Sequence, residues 1–362
     1  MMKSLYIHIP FCESICSYCD FSKFLKNEEW IEQYLNALEK EINYRYKGEE
    51  IETIYIGGGT PSCLNIKQLN KLFNIVNKIN KSELFEFTFE CNIENIDYDK
   101  LKLLYKNGVN RLSIGVQTFN QKFLKYLNRN HTKKNVVDTI RIAKDIGFKN
   151  INIDLIYAIP GEDLNDLEMD LNEFIKLDIS HISTYSLILE EHTKLFIDKE
   201  KTIDEDLDYQ MYQLICNKLK ESGYNHYEIS NFSKYGYESK HNLTYWNNQE
   251  YYGFGLGASG YINGVRYDNT KSLNKYLNQE YILESHKLDQ NEQVENEFIL
   301  GLRKIDGINK EKFKLKYNKD IKDIEIVNKL IKENKLLENK KNIYINPEYI
   351  YVSNDILLEF IN

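Results

Sequence analysis

The rhythm of apolar and polar positions changes several times along the chain, and the changes mark out elements. Through the first two hundred residues, short strand-like runs take turns with longer stretches of helical spacing. Residues 5–9 alternate apolar and polar and predict a strand. In 28–46, Ile31, Tyr34, Leu35, Leu38 and Ile42 recur at the three-to-four spacing of one helix face. The same reading predicts strands over 53–56, 85–90, 111–115, 151–156 and 181–187, and helices over 66–79, 98–106, 135–146 and 164–177. Gly57 stops the second strand, while Asn107 with Gly108, and then Gly147, close two of the helices. Units of strand and helix, each about 30 residues long, predict an α/β fold whose parallel sheet closes into a full or partial barrel. In such folds the chemistry collects at the C-terminal ends of the strands. Here those ends read HIPFC, GGGTPS, ECN, GVQTF, DLIYAIPGE and YSLILEE.

Beyond residue 200 the pattern shifts. A long helix is predicted over 204–221, then an aromatic and Gly-rich stretch over 224–267 that contains HNLTYW at 241–246 and GFGLGASG at 253–260. From 292 the chain is mostly helical and charged, and 325–353 reads helix, turn, strand, turn, strand, a winged-helix-like ending. The expected division is 1–200, 201–290 and 291–362, with no Pro- or Ser-rich linker between the parts.

Composition narrows the classes. The 362 residues carry a formal charge of −8, which disfavours broad contact with a phosphate backbone and makes the winged ending a packing or protein-contact module rather than a DNA reader. No apolar run approaches the roughly 18 residues of a membrane span, and the N-terminal apolar stretch runs straight into cysteines with no cleavage site, so the cytoplasm is the expected compartment. Gly 17 and Pro 4 are together about half the usual share, so three adjacent glycines at 57–59 stand out.

Of six cysteines, Cys12, Cys16 and Cys19 fall within eight residues, while Cys63, Cys91 and Cys216 are scattered. A disulfide framework rarely spends three cysteines so close together. Three thiolates from one loop select zinc, copper(I) or iron–sulfur. A closed zinc site wants a fourth ligand, for which His8 in the preceding strand is the nearest candidate. Three cysteines match a 4Fe–4S cluster with one iron left open.

HIPFCESICSYCDF resembles the C-x3-C-x2-C signature of the radical S-adenosylmethionine (SAM) enzymes, with an aromatic, Tyr18, before the third Cys, and GGGTP one unit later strengthens the likeness. The resemblance implies a partial (β/α)6 barrel. It implies a 4Fe–4S cluster on Cys12, Cys16 and Cys19, with SAM chelating the open iron and cleaved by one electron to methionine and a 5′-deoxyadenosyl radical. It also implies SAM contacts for Tyr6, Tyr18, Gly58, Gly59, Thr60, Glu90, Gln117, Arg129 and Asp154. Glycines let a backbone approach a ligand, although the run also suits a tight turn. Carboxylates and an amide suit ribose hydroxyls and an amino group, and Arg129 suits a carboxylate.

HIPFC, GVQTFN and NIDLIYAIPG narrow the resemblance to the oxygen-independent coproporphyrinogen III oxidase group, over most of the chain. That group holds true oxidases and a haem-chaperone branch. The oxidases carry a fourth Cys two residues after the third, where this chain has Phe21, and His241-Asn242-Leu243-Thr244-Tyr245-Trp246 fits the HNxxYW motif of the chaperone branch. The resemblance therefore implies haem held through His241 and delivered to a respiratory haem protein at the membrane, without oxidase activity. Imidazole is an ordinary axial ligand of haem iron, although a lone His among aromatics also suits a hydrogen-bonded core. Coproporphyrinogen III oxidation is the rival reading, and radical SAM chemistry on nucleic acid a third. SAM cleavage during delivery, the electron donor, and monomer or homodimer stay open at this stage.

Overall fold

The computed structural model describes residues 3–361. Six parallel strands lie side by side in chain order: β1 (Lys3–Ile9), β2 (Ile51–Gly58), β3 (Lys81–Asn92), β4 (Arg111–Gln117), β5 (Asn150–Tyr157) and β6 (His181–Ser186). Helices α1 (Glu28–Arg45), α2 (Ile66–Val76), α3 (Tyr98–Lys106), α4 (Lys133–Ile146) and α5 (Leu164–Lys176) follow the expected spacing. Their starts are set locally. Asn27 caps α1 through Trp30 N–H, and capping boxes Asn65/Gln68, Thr132/Asn135 and Asp163/Asp166 open α2, α4 and α5. Gly147, at φ +123°, ends α4 in a conformation that L-residues avoid.

The sheet does not stop at the six strands. Tyr251–Phe254 pairs in parallel with the outer side of β1, and Ser259–Ile262, Val265–Asn269 and Ile282–Lys287 add antiparallel beyond it. On the other flank, Asn231–Ser233 and Asn225–Glu228 add antiparallel to β6. The result is one open twelve-stranded sheet whose ends do not pair, a partial barrel.

Alternation decides which face does what. Leu5, Ile7, Ile9, Ile54, Ile56, Phe87, Phe89, Leu112, Ile114, Ile153 and Leu155 point to one face and share a buried core with Leu35 and Leu38 of α1, Phe73 of α2, Leu104 of α3, Ile140 of α4 and Phe174 of α5. Each fully buried Leu or Phe contributes roughly 1.5–3 kcal/mol. The opposite face is polar almost throughout. Register aligns Tyr6 with Tyr55, Tyr55 with Thr88, Thr88 with Arg111, Glu90 with Ser113, Ser113 with Asn152 and Asp154 with Ser183. An ordinary (β/α)8 barrel fills this inner face with branched apolar side chains. Here it encloses a cavity.

The C-terminal part builds a second core around Phe298, Leu302, Phe313, Leu330, Ile343 and Phe360. Helices Gln290–Gly301, Lys310–Tyr317 and Glu325–Lys332 precede the hairpin Leu336–Glu338 and Asn342–Ile345, which is the winged-helix-like arrangement expected from sequence. Backbone bonds Ile229–Arg303 and Ile305–Tyr227 tie it to the sheet edge.

Candidate functional site

A cavity of about 460 Å³ opens at the C-terminal rim of the six strands. Cys12, Cys16, Tyr18, Cys19, Gly58, Gly59, Thr60, Glu90, Gln117, Arg129 and Asp154 all line it. These residues lie on six separate segments of the chain, and the strand ends bring them together. Tyr6 and His241 do not line it.

The cysteine loop follows β1 and is held from several sides. Phe24 N–H donates to Pro10 C=O, Lys26 N–H to Cys12 C=O, and Ser17 N–H to Leu127 C=O. Thr60 N–H donates to Phe11 C=O, and Thr60 Oγ1–H to Cys12 Sγ at 3.4 Å. Burial pushes the Cys12 thiol up to about 11 and raises Cys19 as well. Among the described residues no three His, Cys, Asp or Glu converge as ligands of a single ion do. Three thiols from one loop at a cavity mouth suit a cluster whose irons sit at separate corners. His8, the candidate fourth zinc ligand, has both ring nitrogens engaged: Tyr6 OH donates to Nδ1 at 2.9 Å, and Nε2–H donates to Ser22 C=O at 2.8 Å.

The glycine run is required by its neighbours. A Cβ on Gly59 would stand 2.9 Å from Phe11 O and 3.0 Å from Cys12 Sγ. On Gly58, at φ +120°, it would stand 2.7 Å from the His8 ring. The run lets the loop after β2 press against the cysteine loop while its backbone faces the cavity.

Glu90 accepts from Tyr55 OH at 2.7 Å and from Gly58 N–H at 3.0 Å. Burial, helped by the nearby Asp154 carboxylate, pushes its carboxyl up to about 7. Asp154 accepts from Asn152 at 2.8 Å, and burial pushes it up to about 6. Both are acceptors pointed at the cavity, the chemistry that ribose hydroxyls or an amino group would meet. Gln117 holds φ +72° at the end of β4, beyond an irregular register with β5. Such a conformation in a non-glycine residue is uncommon and collects at functional sites. A Cβ on the neighbouring Gly115 would meet Asn92 Oδ1, Gln117 Nε2 and Arg129 Nη1 within 3.3 Å, so three polar side chains crowd one point of the wall.

Arg129 is 4% exposed and forms a two-pronged pair with Glu94: Nε to Oε1 at 2.9 Å and Nη2 to Oε2 at 2.8 Å. Nη2 also donates to Gly115 C=O. Burial opposes ionisation of Glu94, but His131 and Arg129 outweigh it and hold its carboxyl far below the usual range. One edge of the guanidinium is thus spent, and Nη1 is left toward Gly115 and the cavity.

His241 sits at the other end of the barrel. Helix Lys240–Trp246 closes the N-terminal ends of the strands. Glu86 of β3 accepts Lys240 N–H and His241 N–H, both at 3.1 Å, and Ser4 of β1 bonds Thr244 at 2.7 Å. His241 is 1% exposed. Its Nδ1 bonds Thr53 Oγ1 at 2.7 Å, its Nε2 bonds Tyr245 OH at 2.8 Å, and its ring packs 5.1 Å from that of Tyr55. Burial drives it down to about 3, so the ring is neutral. Tyr6 packs in the same group, 6.5 Å from His241 and 6.0 Å from Tyr55. Asn242, next in the motif, does line the cavity.

Sequence reasoning passed over Tyr55, Arg111, Ser113, Asn152, Ser183 and Tyr185, all of which line the cavity. The signal was available as i, i+2 alternation. Arg111 and Ser113 share a face with Gly115, and Asn152 shares one with Asp154.

Residues 6–174 match the Radical SAM superfamily. The chain is 40% identical over 370 residues to the "Heme chaperone HemW" of Lactococcus lactis subsp. lactis (strain IL1403), covering 99% of this chain and 97% of that one. It is 41% identical over 378 residues to the protein of that name from Bacillus subtilis (strain 168), covering 99% of each. Its likeness to the one from Escherichia coli (strain K12) is 36% over 266 residues, 72% of this chain and 70% of that one. Among solved structures, the coproporphyrinogen III oxidase of Escherichia coli, a radical SAM enzyme, superposes with a TM-score of 0.87 at 23% identity, covering 99% of this chain and 90% of that one, a likeness of fold.

Proposed function

The chain belongs to the radical SAM superfamily and, within it, to the HemW family of heme chaperones, and from that premise we propose that it binds haem and delivers it to a haem protein. The observation that carries the reading is that Cys12, Cys16 and Cys19 line one cavity with Gly58, Gly59, Thr60, Glu90, Gln117, Arg129 and Asp154. Cys12, Cys16 and Cys19 would hold a 4Fe–4S cluster, with the Gly58–Thr60 backbone, Tyr18, Arg129, Gln117, Glu90 and Asp154 around SAM. The cluster, when bound, supplies an electron for SAM cleavage. The chain's own residues bind, orient and exclude water. Phe21, exposed at the cavity mouth, stands where a further thiol would have offered a proton or a ligand.

In this reading the protein works in the cytoplasm as a monomer or homodimer, and it meets a respiratory acceptor at the membrane through its surface. No helix among the described residues is long and apolar enough to cross a membrane.

His241 as the axial ligand requires Tyr245 to release Nε2. Two variants separate ligand from floor. If His241 binds iron, Tyr245→Phe raises haem affinity and His241→Ala changes the Soret band. An unchanged band in a folded His241→Ala protein moves the ligand elsewhere.

The reading as a whole is tested by titrating haem into the cluster-loaded protein beside an anaerobic SAM-cleavage assay and an assay with coproporphyrinogen III. Stoichiometric haem binding that is passed to an apo-cytochrome, without turnover of the porphyrinogen, is expected. Conversion of coproporphyrinogen III to protoporphyrinogen IX would overturn it.

A further inference from the structure

The inner barrel holds a charge that no ion pair among the described residues answers. Arg111 is the first residue of β4, is 2% exposed, and lines the cavity. Among the described residues its guanidinium makes no ion pair, and its Nε is buried without a hydrogen-bond partner. Thr88, its register partner on β3, leaves a buried Oγ1 unpartnered too. A buried cation without a counter-ion is strongly destabilising, and buried polar atoms in native proteins are nearly always paired, so such a group calls for something that enters later.

The carboxylates that feel its charge, Glu90 and Asp154, make no ion pair with it among the described residues. Glu90 spends its oxygens on Tyr55 and Gly58, and Asp154 accepts from Asn152. The contrast with Arg129 is direct. That guanidinium is neutralised by Glu94, and its field falls on Tyr18 at the cluster end. The field of Arg111 falls on Glu90 and Asp154 in the cavity wall and also on Tyr55, His181 and His241. The mouth of the same cavity carries Ile15, Phe21 and Ile188, all exposed, an apolar rim on which the edge of a flat ring can rest.

We propose that Arg111 receives a carboxylate carried into the barrel by the bound ligand, and that this carboxylate is a propionate of the tetrapyrrole. The assignment rests on the haem-binding reading above. It makes Arg111 a specificity residue: a planar apolar ligand without acid side chains fits the rim but not the floor.

Ferric haem and ferric haem dimethyl ester, titrated separately into the full-length protein and followed at the Soret band, test this. One charge-assisted pair predicts that the wild type prefers the free acid by roughly 10- to 100-fold. Arg111→Met is expected to bind both forms as the wild type binds the ester, and Arg111→Lys to keep part of the preference. Equal wild-type affinity for acid and ester overturns the inference and leaves the haem reading standing. This arm needs no variant, so a poorly folded Arg111→Met does not blunt it. SAM binding measured on cluster-loaded protein separates the two sources of carboxylate. If Arg111→Met loses SAM while keeping the acid-over-ester preference, the carboxylate is SAM's and the inference falls. Failure of the wild type to bind either haem form overturns the functional reading, and the inference with it.

Discussion

The two ends of the barrel are built from the same strands and the same alternation, yet they are opposite in kind. At the N-terminal end, Ser4, Thr53 and Glu86 point inward and find partners in helix Lys240–Trp246, which seals the opening. At the C-terminal end, Cys12, Gly58, Glu90, Gln117 and Asp154 point into the same interior and leave a cavity. Inward polarity therefore does not by itself mark a site. What separates the ends is saturation. Apart from Arg111 and Thr88, the floor spends its hydrogen bonds on the fold, whereas the rim keeps thiols and carboxylates facing the cavity.

Substitution of a cluster cysteine is the largest break that the comparison allows. Cys16→Ala is expected to abolish cluster loading, read as iron and sulfide content after reconstitution. It should shift the urea midpoint of the unloaded protein by an amount worth less than about 1 kcal/mol, since the side chain is only partly buried. A variant that still loads a full cluster would remove the rim from its assigned role.

The floor should behave in reverse. His241→Ala leaves Thr53 Oγ1 and Tyr245 OH without their ring partner and opens a void among Tyr6, Tyr55 and Tyr245. The expected loss is about 2–5 kcal/mol of stability in urea unfolding, with cluster loading retained in the folded fraction. A loss under about 0.5 kcal/mol would mean that the helix does not plug the barrel as its hydrogen bonds indicate.

Much of the rim was legible in the sequence because its signals are local. C-x3-C-x2-C, three glycines after a strand and the alternation in FEFTFE need only a few adjacent residues to be read. The six parallel strands and five of their helices follow from the same short-range periods. What escaped was long-range. Tyr251–Phe254 joins β1 across some 240 residues, and no local pattern announces that pairing. Glu94 meets Arg129 across 35 positions, so the pair that orients this guanidinium at the cavity is not announced locally. Arg111 opens a short strand after a turn, where an arginine ordinarily reaches solvent. Only the register with Thr88 and Asn150 buries it. HNLTYW was conspicuous, but its side-chain partners, Thr53, Glu86 and Ser4, lie on three strands far upstream.

The smallest effect separates the ends by pH. Glu90 titrates near 4.5 when unfolded and is pushed up to about 7 in the folded chain, first by burial and then by Asp154; Asp154 itself moves from 3.8 to about 6. Raised carboxyls bind protons more tightly in the folded state. Their contribution to stability is therefore fully present below about 4.5 and 3.8, and is lost as pH rises through about 7 and 6. Glu90→Gln holds a neutral group in the same place, so the unliganded variant should lose less stability than wild type between pH 5 and pH 8, by about 1–3 kcal/mol. Urea midpoints at four pH values give both slopes, and the difference between them cancels the other buried acids that the two proteins share. The same comparison on His241→Ala should change the slope in the opposite sense, because His241, held down at about 3, stays neutral across that range in the folded chain, whereas an unfolded histidine takes up a proton near 6.5. That ring's own contribution runs the other way: it is lost as pH falls below about 6.5 and is already complete above it. Opposite changes of slope for Glu90→Gln and His241→Ala between pH 5 and pH 8 therefore separate rim from floor, and parallel slopes for wild type and Glu90→Gln over that range would mean that Glu90 is already ionised at pH 5 in the folded chain.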